Sequence, residues 1–242
     1  MLEASIAEGK TSSFKLGLQA GSSIAIGYFP IALTFGLLSK TTGLSLLETL
    51  LMSLIVYAGA SQYMGLSLIA AGTSPFVIIL TTFVVNIRHF LMTAALSRKV
   101  EEQSKFKRGL FAFGITDETF SVLATRKGKF PLGYGFGVTS IAYASWVINS
   151  GIGYVIGANL PQFLQASMTV ALYAMFIGLL VPSLKRNVKV LFLAAISAGF
   201  NSIFIGFHVM EEGWSIITST LLSAVLIEIT ETYKRKKRVE ER

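Results

Sequence analysis

Long runs without a charged residue constrain the fold of this chain more than any other feature. Lys, Arg, Asp and Glu are all absent from positions 16–39, 49–87 and 132–184. A transmembrane helix needs about 20 apolar residues, so the last run is long enough for two helices and a turn. Charged residues make up 14% of the chain, whereas soluble domains contain about 25%. The sequence therefore predicts an all-α, polytopic integral membrane protein.

Eight hydrophobic segments follow one another along the chain, at 15–38, 49–71, 76–97, 109–125, 134–157, 164–184, 190–209 and 213–230. The first contains Pro30, which removes a helical hydrogen bond and predicts a kink or break at 27–30. The fourth is short and contains Asp117 and Glu118. We therefore expect a helical bundle with six to seven full crossings and one or two broken or re-entrant elements, at 27–30 and 114–119.

The distribution of Lys and Arg narrows the topology, because cytoplasmic loops of membrane proteins are enriched in both. Eight crossings would leave six basic residues outside: Lys40, Arg98, Lys99, Lys105, Lys107 and Arg108. If the fourth segment does not cross and the N-terminus is outside, only Lys10 and Lys15 are outside. If neither the first nor the fourth segment crosses the membrane, no Lys or Arg residue in the loops is outside. The basic residues therefore do not decide between six and seven crossings. We expect a multi-pass protein of the cytoplasmic (inner) cell membrane whose C-terminus is cytoplasmic.

Two pairs of similar stretches indicate an internal repeat within a single transmembrane domain, 14–232. FKLGL at 14–18 recurs as FKRGL at 106–110, and AAGTSPFV at 70–77 resembles IGANLPQFL at 156–164. The predicted parts are an N-terminal tail 1–13, repeat halves 14–97 and 106–184, a final helical pair 190–230 and a basic tail 233–242. Transporters are commonly built from such repeats, with the binding site at unwound helices in matching positions.

Arg88 lies in the middle of the third segment, between Asn86 and His89. An Arg at the centre of a membrane helix costs about 2.5–3.5 kcal/mol on insertion scales, so it usually faces protein or a watery cavity. Its guanidinium can hold a carboxylate with two hydrogen bonds. We interpret Arg88 and Asn86 as substrate-binding residues. The alternative is a structural ion pair between Arg88 and Asp117 or Glu118.

Asp117 and Glu118 form the acidic pair that lies inside a hydrophobic segment. Burial raises the pKa of a carboxyl group, which suits uptake and release of protons near neutral pH. We interpret these two residues, together with His89, as candidates for proton or ion coupling. The alternative places the carboxylates at a segment end, in water or against Arg88.

The stretch YAGASQY at 57–63 has small residues that permit close helix packing or a local opening of the helix. Gln62 could present its amide to a substrate. Ser61 with His208 faintly suggests an intramembrane Ser–His hydrolase, but no oxyanion-hole feature accompanies them. A channel-like subunit or an assembly subunit of a membrane complex is a further alternative.

Several classes of function are disfavoured by composition. The chain has no cysteine, which excludes disulfides and thiolate chemistry, and it lacks a Walker-type phosphate loop. We expect neither a cofactor nor a metal, and no enzymatic activity. The chain has a net charge of +8, which we attribute to the Lys and Arg residues that are enriched in cytoplasmic loops of membrane proteins. This charge does not indicate nucleic-acid binding.

Four short motifs occur in a fixed order: Gly27-Tyr28-Phe29-Pro30, YAGASQY at 57–63, NIRH at 86–89 and TDETF at 116–120. Together they resemble the AzlC family of branched-chain amino acid exporters, over about residues 14–230. The resemblance implies a secondary transporter that exports branched-chain (aliphatic) amino acids and is driven by a proton or ion gradient. It also implies a small hydrophobic AzlD-type membrane partner. Where the family often has Phe, this chain has Tyr57 and Tyr63.

The resemblance and the residue chemistry together give an expected site. Arg88, Asn86, Gln62 and the backbone opened near Pro30 bind the substrate, and Phe29, Tyr57 and Tyr63 receive its aliphatic side chain. Asp117, Glu118 and His89 carry the coupling proton or ion.

Overall fold

The computed structural model describes residues 12–101, 104–157, 163, 170, 177, 188–210 and 212–240. The tail at 1–11 and, apart from 170 and 177, the predicted segment 164–184 lie outside the described residues. The described part is helical, apart from one two-residue strand pair and the connecting turns. The prediction of an all-α membrane protein is confirmed.

The helices follow the chain in this order: α1 Ser13–Thr41, α2 Leu46–Leu51, a π-helical turn Met52–Val56, α3 Gly59–Ala70, α4 Pro75–Leu96, α5 Lys105–Phe113, α6 Asp117–Thr125, α7 Leu132–Gly157, α8 Val188–Gly206 and α9 Glu212–Glu240. Strands β1 Val100–Glu101 and β2 Phe130–Pro131 pair in parallel, with Val100 opposite Phe130.

Four described stretches are long and apolar enough to cross a membrane: α1, α4, α8 and the part of α9 at Gly213–Tyr233. The total of six to seven crossings stays a prediction. Contacts divide the chain into unit 1, Met1–Leu66 with Val85–Leu172, and unit 2, Ser67–Val84 with Tyr173–Arg242. The repeat halves also remain a prediction.

Glycines bring α1 and α7 into close contact in unit 1. A Cβ atom on Gly17 would lie 2.1 Å from the carbonyl oxygen of Tyr134, and one on Gly36 would lie 2.0 Å from that of Ser150. Small residues of this kind let membrane helices approach backbone to backbone. Because the contacts advance along both helices together, α1 and α7 run in the same direction.

Of the kink or break predicted at 27–30, the break is wrong, because α1 is one continuous helix through Pro30. The kink stays a prediction. Contacts with α7 hold α1 on both sides of the proline, at Gly21 and at Gly36. Thr34 Oγ1 also donates a hydrogen bond to the Pro30 carbonyl at 2.8 Å. Membrane helices tolerate proline where neighbouring helices and hydroxyl side chains stabilise the distorted turn.

The second segment is broken instead, and we call residues 46–66 hairpin 1. Leu50 lies beside Gly151 of α7 and Tyr57 lies beside Tyr143, so the first arm runs toward the N-terminal end of α7. Nine residues of straight helix rise about 13.5 Å, which exceeds the reach of a Ser–Gln hydrogen bond. Gln62 Nε2 nevertheless donates to Ser53 Oγ at 3.2 Å. The chain therefore turns back at Tyr57.

The fourth segment forms hairpin 2, residues 105–125, and the predicted break at 114–119 is confirmed because residues 114–116 separate α5 from α6. A Cβ on Gly114 would lie 2.6 Å from Thr139 of α7, about 10 Å along that helix from its β2 end. The second arm returns to the β2 end, where Lys99 Nζ donates to the Ala124 carbonyl at 2.6 Å. Hairpin 2 thus begins and ends at the N-terminal end of α7.

The two hairpins enter unit 1 from opposite ends of α7 and meet near its middle. The ring of Tyr57 at the tip of hairpin 1 lies 6.0 Å from Phe113 of hairpin 2, between ring centroids. Both rings contact Tyr143 of α7, at 4.8 and 5.9 Å. Non-helical backbone at membrane depth is tolerated where it is buried in protein or lines a cavity.

Unit 2 contains an antiparallel pair, α8 and α9, joined by polar contacts. Ser215 Oγ donates to Asn201 Oδ1 at 2.7 Å, and Lys189 forms an ion pair with Glu231 at 2.7 Å. Ser219 and Ser223 are buried on α9. The predicted final helical pair, 190–230, is thus helical through nearly all of its described residues.

Candidate functional site

The NIRH stretch of α4 contacts both hairpins of unit 1. Asn86 Oδ1 accepts a hydrogen bond from Ser61 Oγ of hairpin 1 at 2.7 Å. Arg88 Nη1 lies 3.1 Å from Asp117 Oδ2, in the first turn of α6 in hairpin 2. Residues two apart on a helix point about 200° from each other, so one short stretch can reach two elements. The prediction grouped Arg88, Asn86 and Asp117 in one site, and the structure brings their contacts together.

The Arg88–Asp117 pair is only partly enclosed. The side chain of Arg88 is 39% exposed and that of Asp117 is 26% exposed. The Nε atom of Arg88 is buried and has no hydrogen-bond partner among the described residues. A guanidinium has five N–H donors, so this arrangement leaves donors for a second acceptor.

Gln62 is the centre of a fully buried polar cluster, with 0% exposure. Its Oε1 accepts from Trp146 Nε1 at 3.0 Å and from the Ala58 backbone N–H at 3.2 Å. Its Nε2 donates to Ser53 Oγ, which in turn donates to Ser150 Oγ at 2.9 Å. The amide therefore stabilises the tip of hairpin 1 and is not free to bind a substrate directly.

Glu118 contacts α1 through Tyr28. The Tyr28 hydroxyl donates to Glu118 Oε2 at 2.6 Å and lies 2.7 Å from Thr116 Oγ1. Thr116 is the N-cap of α6 and forms a capping box with Thr119. A carboxylate in the first helical turn interacts favourably with the helix dipole, which is a structural role for Asp117 and Glu118. Glu118 nevertheless lacks a cationic partner within salt-bridge distance among the described residues.

Tyr57 is strained and incompletely hydrogen-bonded. Its backbone is left-handed, with φ 42° and ψ 48°, which is unfavourable for a bulky residue. Its side chain is 3% exposed, and its hydroxyl approaches the Tyr28 hydroxyl without completing a hydrogen bond. Strained backbone and an unpaired buried hydroxyl are more frequent at functional sites than elsewhere.

The end of α3 at the tip of hairpin 1 has unpaired backbone donors. The first N–H groups of a helix have no partner inside the helix, and α3 has no acidic residue in its first turn. Gly59 and Ala60 supply such groups, and Asn86 contacts the neighbouring Ser61. A helix N-terminus with this geometry can bind an anion.

Three predicted residues, Phe29, Pro30 and Tyr63, lie apart from these contacts, and a fourth, His89, lies beside them. Phe29 is 52% exposed and Pro30 is on the exposed side of α1. Tyr63 is buried and donates its hydroxyl to the Ile31 carbonyl at 2.6 Å, so it anchors hairpin 1 to α1. His89 is half-buried, with Arg88 and Glu118 as charged neighbours.

The structure adds Tyr28, Phe113, Tyr143 and Trp146 to the site, and sequence reasoning missed all four as site residues. Tyr28 belongs to a motif that the sequence singled out, and Trp146 is the one tryptophan in the uncharged run 132–184. Ser61 donates to the Asn86 amide oxygen, which cannot act as a general base, so this contact gives no support to a hydrolase.

Known proteins resemble this chain over most of its length. Residues 23–160 match the family described as AzlC protein. The inner membrane protein YgaZ of Escherichia coli (strain K12) is 32% identical over 194 residues, which cover 77% of this chain and 79% of that protein. An uncharacterized membrane protein of Archaeoglobus fulgidus is 32% identical over 207 residues, which cover 84% of this chain and 88% of that protein.

A more distant relative has a name that describes transport. The branched-chain amino acid transport protein AzlC of Bacillus subtilis (strain 168) is 24% identical over 169 residues, which cover 69% of this chain and 66% of that protein. No solved structure matches the chain at a significant level.

Proposed function

The chain belongs to the AzlC family, and from this premise we propose that it is a secondary transporter that exports branched-chain amino acids. The name of the Bacillus subtilis relative supports the substrate class. The observation that carries the proposal is the meeting of two opposed hairpins in the middle of unit 1, beside an arginine. Broken helices at mid-depth are where transporters bind substrates and coupling ions.

In this proposal the substrate carboxylate displaces Asp117 from Arg88 and lies at the meeting point of the hairpin tips, where α3 begins. Arg88 supplies charged donors, and Gly59 and Ala60 supply backbone N–H groups of a helix whose dipole favours an anion. Asn86 holds this end of α3 beside α4 through Ser61. Asp117 occupies Arg88 in the absence of substrate.

The aliphatic side chain of the substrate binds against Tyr57, Phe113 and Tyr143. These rings form one contiguous apolar cluster at the hairpin tips, and Phe113 is 44% exposed. This cluster replaces the predicted set of Phe29, Tyr57 and Tyr63, since Tyr63 is engaged by α1.

Glu118 is our candidate for the coupling carboxyl group. Asp117 is engaged by Arg88, whereas Glu118 has a neutral hydroxyl donor and can gain a proton without breaking an ion pair. His89 lies close enough to influence its charge.

Basic residues orient the protein in this proposal. Those near the hairpin 2 end of unit 1 are Lys15, Arg98, Lys99, Lys105, Lys107, Arg108, Arg126, Lys127 and Lys129. Lys40 lies at the opposite end of α1. By the positive-inside rule, we propose that the hairpin 2 end of unit 1 faces the cytoplasm. The protein itself would then be in the inner membrane. A cytoplasmic C-terminus and a small AzlD-type subunit complete the proposal.

Counterflow of labelled leucine in proteoliposomes tests the function, at two pH values and with or without a co-purified AzlD-type subunit. We expect saturable counterflow that depends on Arg88. Replacing Arg88 by Gln should reduce it about 10- to 150-fold, from about 1.5–3 kcal/mol per hydrogen bond to a charged group. Arg98→Gln, at an exposed arginine beyond the end of α4, is the matched control. Normal counterflow by the Arg88 variant would refute the site, and a channel would show no counterflow.

A further inference from the structure

Tyr28 of α1 and Trp146 of α7 connect the tips of the two hairpins. Their rings meet edge to face, with centroids 5.1 Å apart and an angle of 75° between the planes. Both side chains are almost fully buried, with 4% and 2% exposure. The proposed transport function, by itself, gives the indole of Trp146 no role.

Each side chain of this aromatic pair donates a hydrogen bond to a different hairpin. Tyr28 donates to Glu118 in hairpin 2 at 2.6 Å. Trp146 Nε1 donates to Gln62 in hairpin 1 at 3.0 Å, on the oxygen that also accepts from the Ala58 N–H. The contacts therefore form a continuous chain from Glu118 to the tip of hairpin 1.

The indole has little freedom to move independently of hairpin 1. A Cβ on Gly59 would lie 2.8 Å from the indole atom Cη2, so backbone and ring are already in close contact. The indole also stacks on Phe35, with centroids 6.3 Å apart and an angle of 27° between the planes. A shift of the ring must therefore be accompanied by a shift of the tip of hairpin 1.

We propose that Tyr28 and Trp146 form a bridge through which the charge on Glu118 controls the hydrogen bond that holds Gln62. An ionised Glu118 accepts the Tyr28 hydroxyl and fixes the phenol ring against the indole. When Glu118 takes a proton from water, its oxygen loses the charge, and a hydrogen bond to a charged group is about twice as strong as a neutral one. The hydrogen bond that fixes Tyr28 is then about half as strong, so the phenol can shift, and Trp146 and Gln62 shift with it.

This bridge rests on the proposed function in one respect, since protonation of Glu118 is the coupling event in that proposal. It assigns Tyr28 and Trp146 as positioning residues, which act through Glu118 and Gln62 and do not touch the substrate. The other titratable groups that face Glu118 are Tyr57 at the tip of hairpin 1 and His89 on α4. Asp117 adjoins Glu118 on the same helix.

Trp146 can report on the bridge without any transport measurement. The chain has two tryptophans, so Trp214→Phe leaves Trp146 as the single emitter. We would record the emission of this purified variant in lipid nanodiscs over the whole pH range in which the protein stays monodisperse. We expect a sigmoidal change in emission that disappears in Glu118→Gln and in Tyr28→Phe.

Three further variants serve as controls, each in the Trp214→Phe background and each checked for a monodisperse elution profile. Asp117→Asn and His89→Asn should keep the sigmoidal change, because neither residue contacts Tyr28. Tyr154→Phe removes a hydroxyl from α7 away from the bridge and should also keep it. Emission that does not depend on pH, a change that survives Glu118→Gln, or one that is lost instead in Asp117→Asn or His89→Asn would overturn the bridge.

Transport separates failure of the bridge from failure of the proposed function. In Trp146→Phe, which lacks the N–H donor, we expect the pH dependence of net leucine flux to flatten relative to the parent chain. An unchanged pH dependence in this variant would overturn the bridge while leaving the transport function intact. If the parent chain moves no leucine, the transport function is wrong, and the emission experiment still decides the bridge.

Discussion

Arg88 Nη1 on α4 lies 3.1 Å from Asp117 Oδ2 in the first turn of α6. This ion pair joins the part of α4 that lies in unit 1 to the tip of hairpin 2. Because both side chains retain some exposure, the pair can open without an uncompensated charge becoming buried. The arrangement makes Asp117 an internal competitor of a substrate carboxylate for the same guanidinium.

The first prediction concerns that competition. Replacing Asp117 by Asn should leave Arg88 available and lower the KM for leucine counterflow. An ion pair of this exposure contributes about 0.2–1 kcal/mol, which corresponds to a decrease in KM of about 1.5- to 5-fold. The concentration dependence of initial counterflow rates measures it, with the exposed Glu101→Gln as the control.

A purely structural ion pair gives the opposite pattern. In that case Asp117→Asn would not lower KM, and both single substitutions would reduce the amount of folded protein. The exchanged pair, Arg88→Asp with Asp117→Arg, would then restore both folding and transport. Restored transport in the exchanged pair would contradict the competition, because the guanidinium would no longer be on α4.

The second prediction concerns the close approach of α1 and α7. Gly36→Ala places a methyl group 2.0 Å from the Ser150 carbonyl oxygen and 2.5 Å from the Tyr154 nitrogen. Since these are backbone atoms, the two helices must separate, at a cost of about 1–3 kcal/mol. We expect a clearly lower midpoint of thermal unfolding in detergent, measured by scanning fluorimetry.

Gly27→Ala is the matched control on the same helix. A Cβ on Gly27 meets no atom within 4 Å, and alanine favours a helix more than glycine does. We expect an unchanged or slightly raised midpoint. A loss of stability at Gly27 as large as that at Gly36 would show that α1 is broken near Pro30, as the sequence predicted.

Hairpin 2 was predictable from the sequence because its break has local causes. The segment is too short to cross, and Thr116 begins a new helix with a capping box and two acidic residues in the first turn. Such features depend on neighbouring residues, so a sequence pattern reveals them. The pairing of Arg88 with Asp117 was among the alternatives for another reason, since a charge inside a membrane helix needs a partner and the acidic pair lies in a hydrophobic segment.

Hairpin 1 was not predicted, because its break depends on contacts distant in sequence. The stretch around Tyr57 has neither a proline nor a charge, and its small residues permitted close helix packing as well as a local opening, so the sequence did not decide between the two. The turn is held by Gln62, whose partners include Trp146 on α7, 84 positions along the chain. Pro30 shows the converse case, since packing against α7 keeps α1 helical through a residue that disfavours helix.

The third prediction tests whether Gln62 holds the tip of hairpin 1. Gln62→Leu preserves much of the volume but leaves the Trp146 and Ala58 N–H groups without an acceptor. Unsatisfied buried donors cost about 1–3 kcal/mol, so the midpoint of thermal unfolding should fall. Gln19→Leu, at an exposed glutamine of α1, should leave it unchanged. Equal midpoints for the two variants would rule out a stabilising role for Gln62.

The last prediction separates two tyrosine hydroxyls of hairpin 1. Tyr63→Phe removes a hydrogen bond of 2.6 Å to the Ile31 carbonyl and should destabilise the protein by about 1 kcal/mol. Tyr57→Phe removes a buried hydroxyl that completes no hydrogen bond, so it should leave stability unchanged or raise it. Thermal unfolding in detergent measures both.

Transport should rank the same two variants in the reverse order. In the proposed site the buried Tyr57 hydroxyl gains a partner when substrate binds at the meeting point of the hairpins, so Tyr57→Phe should weaken leucine counterflow more than Tyr63→Phe does. The opposite order of the two variants is informative, because a loss of stability alone would lower the unfolding midpoint and the counterflow of the same variant together. If Tyr57→Phe keeps full counterflow, the hydroxyl has no part in binding, and the tyrosine serves the site only through its ring against Phe113 and Tyr143.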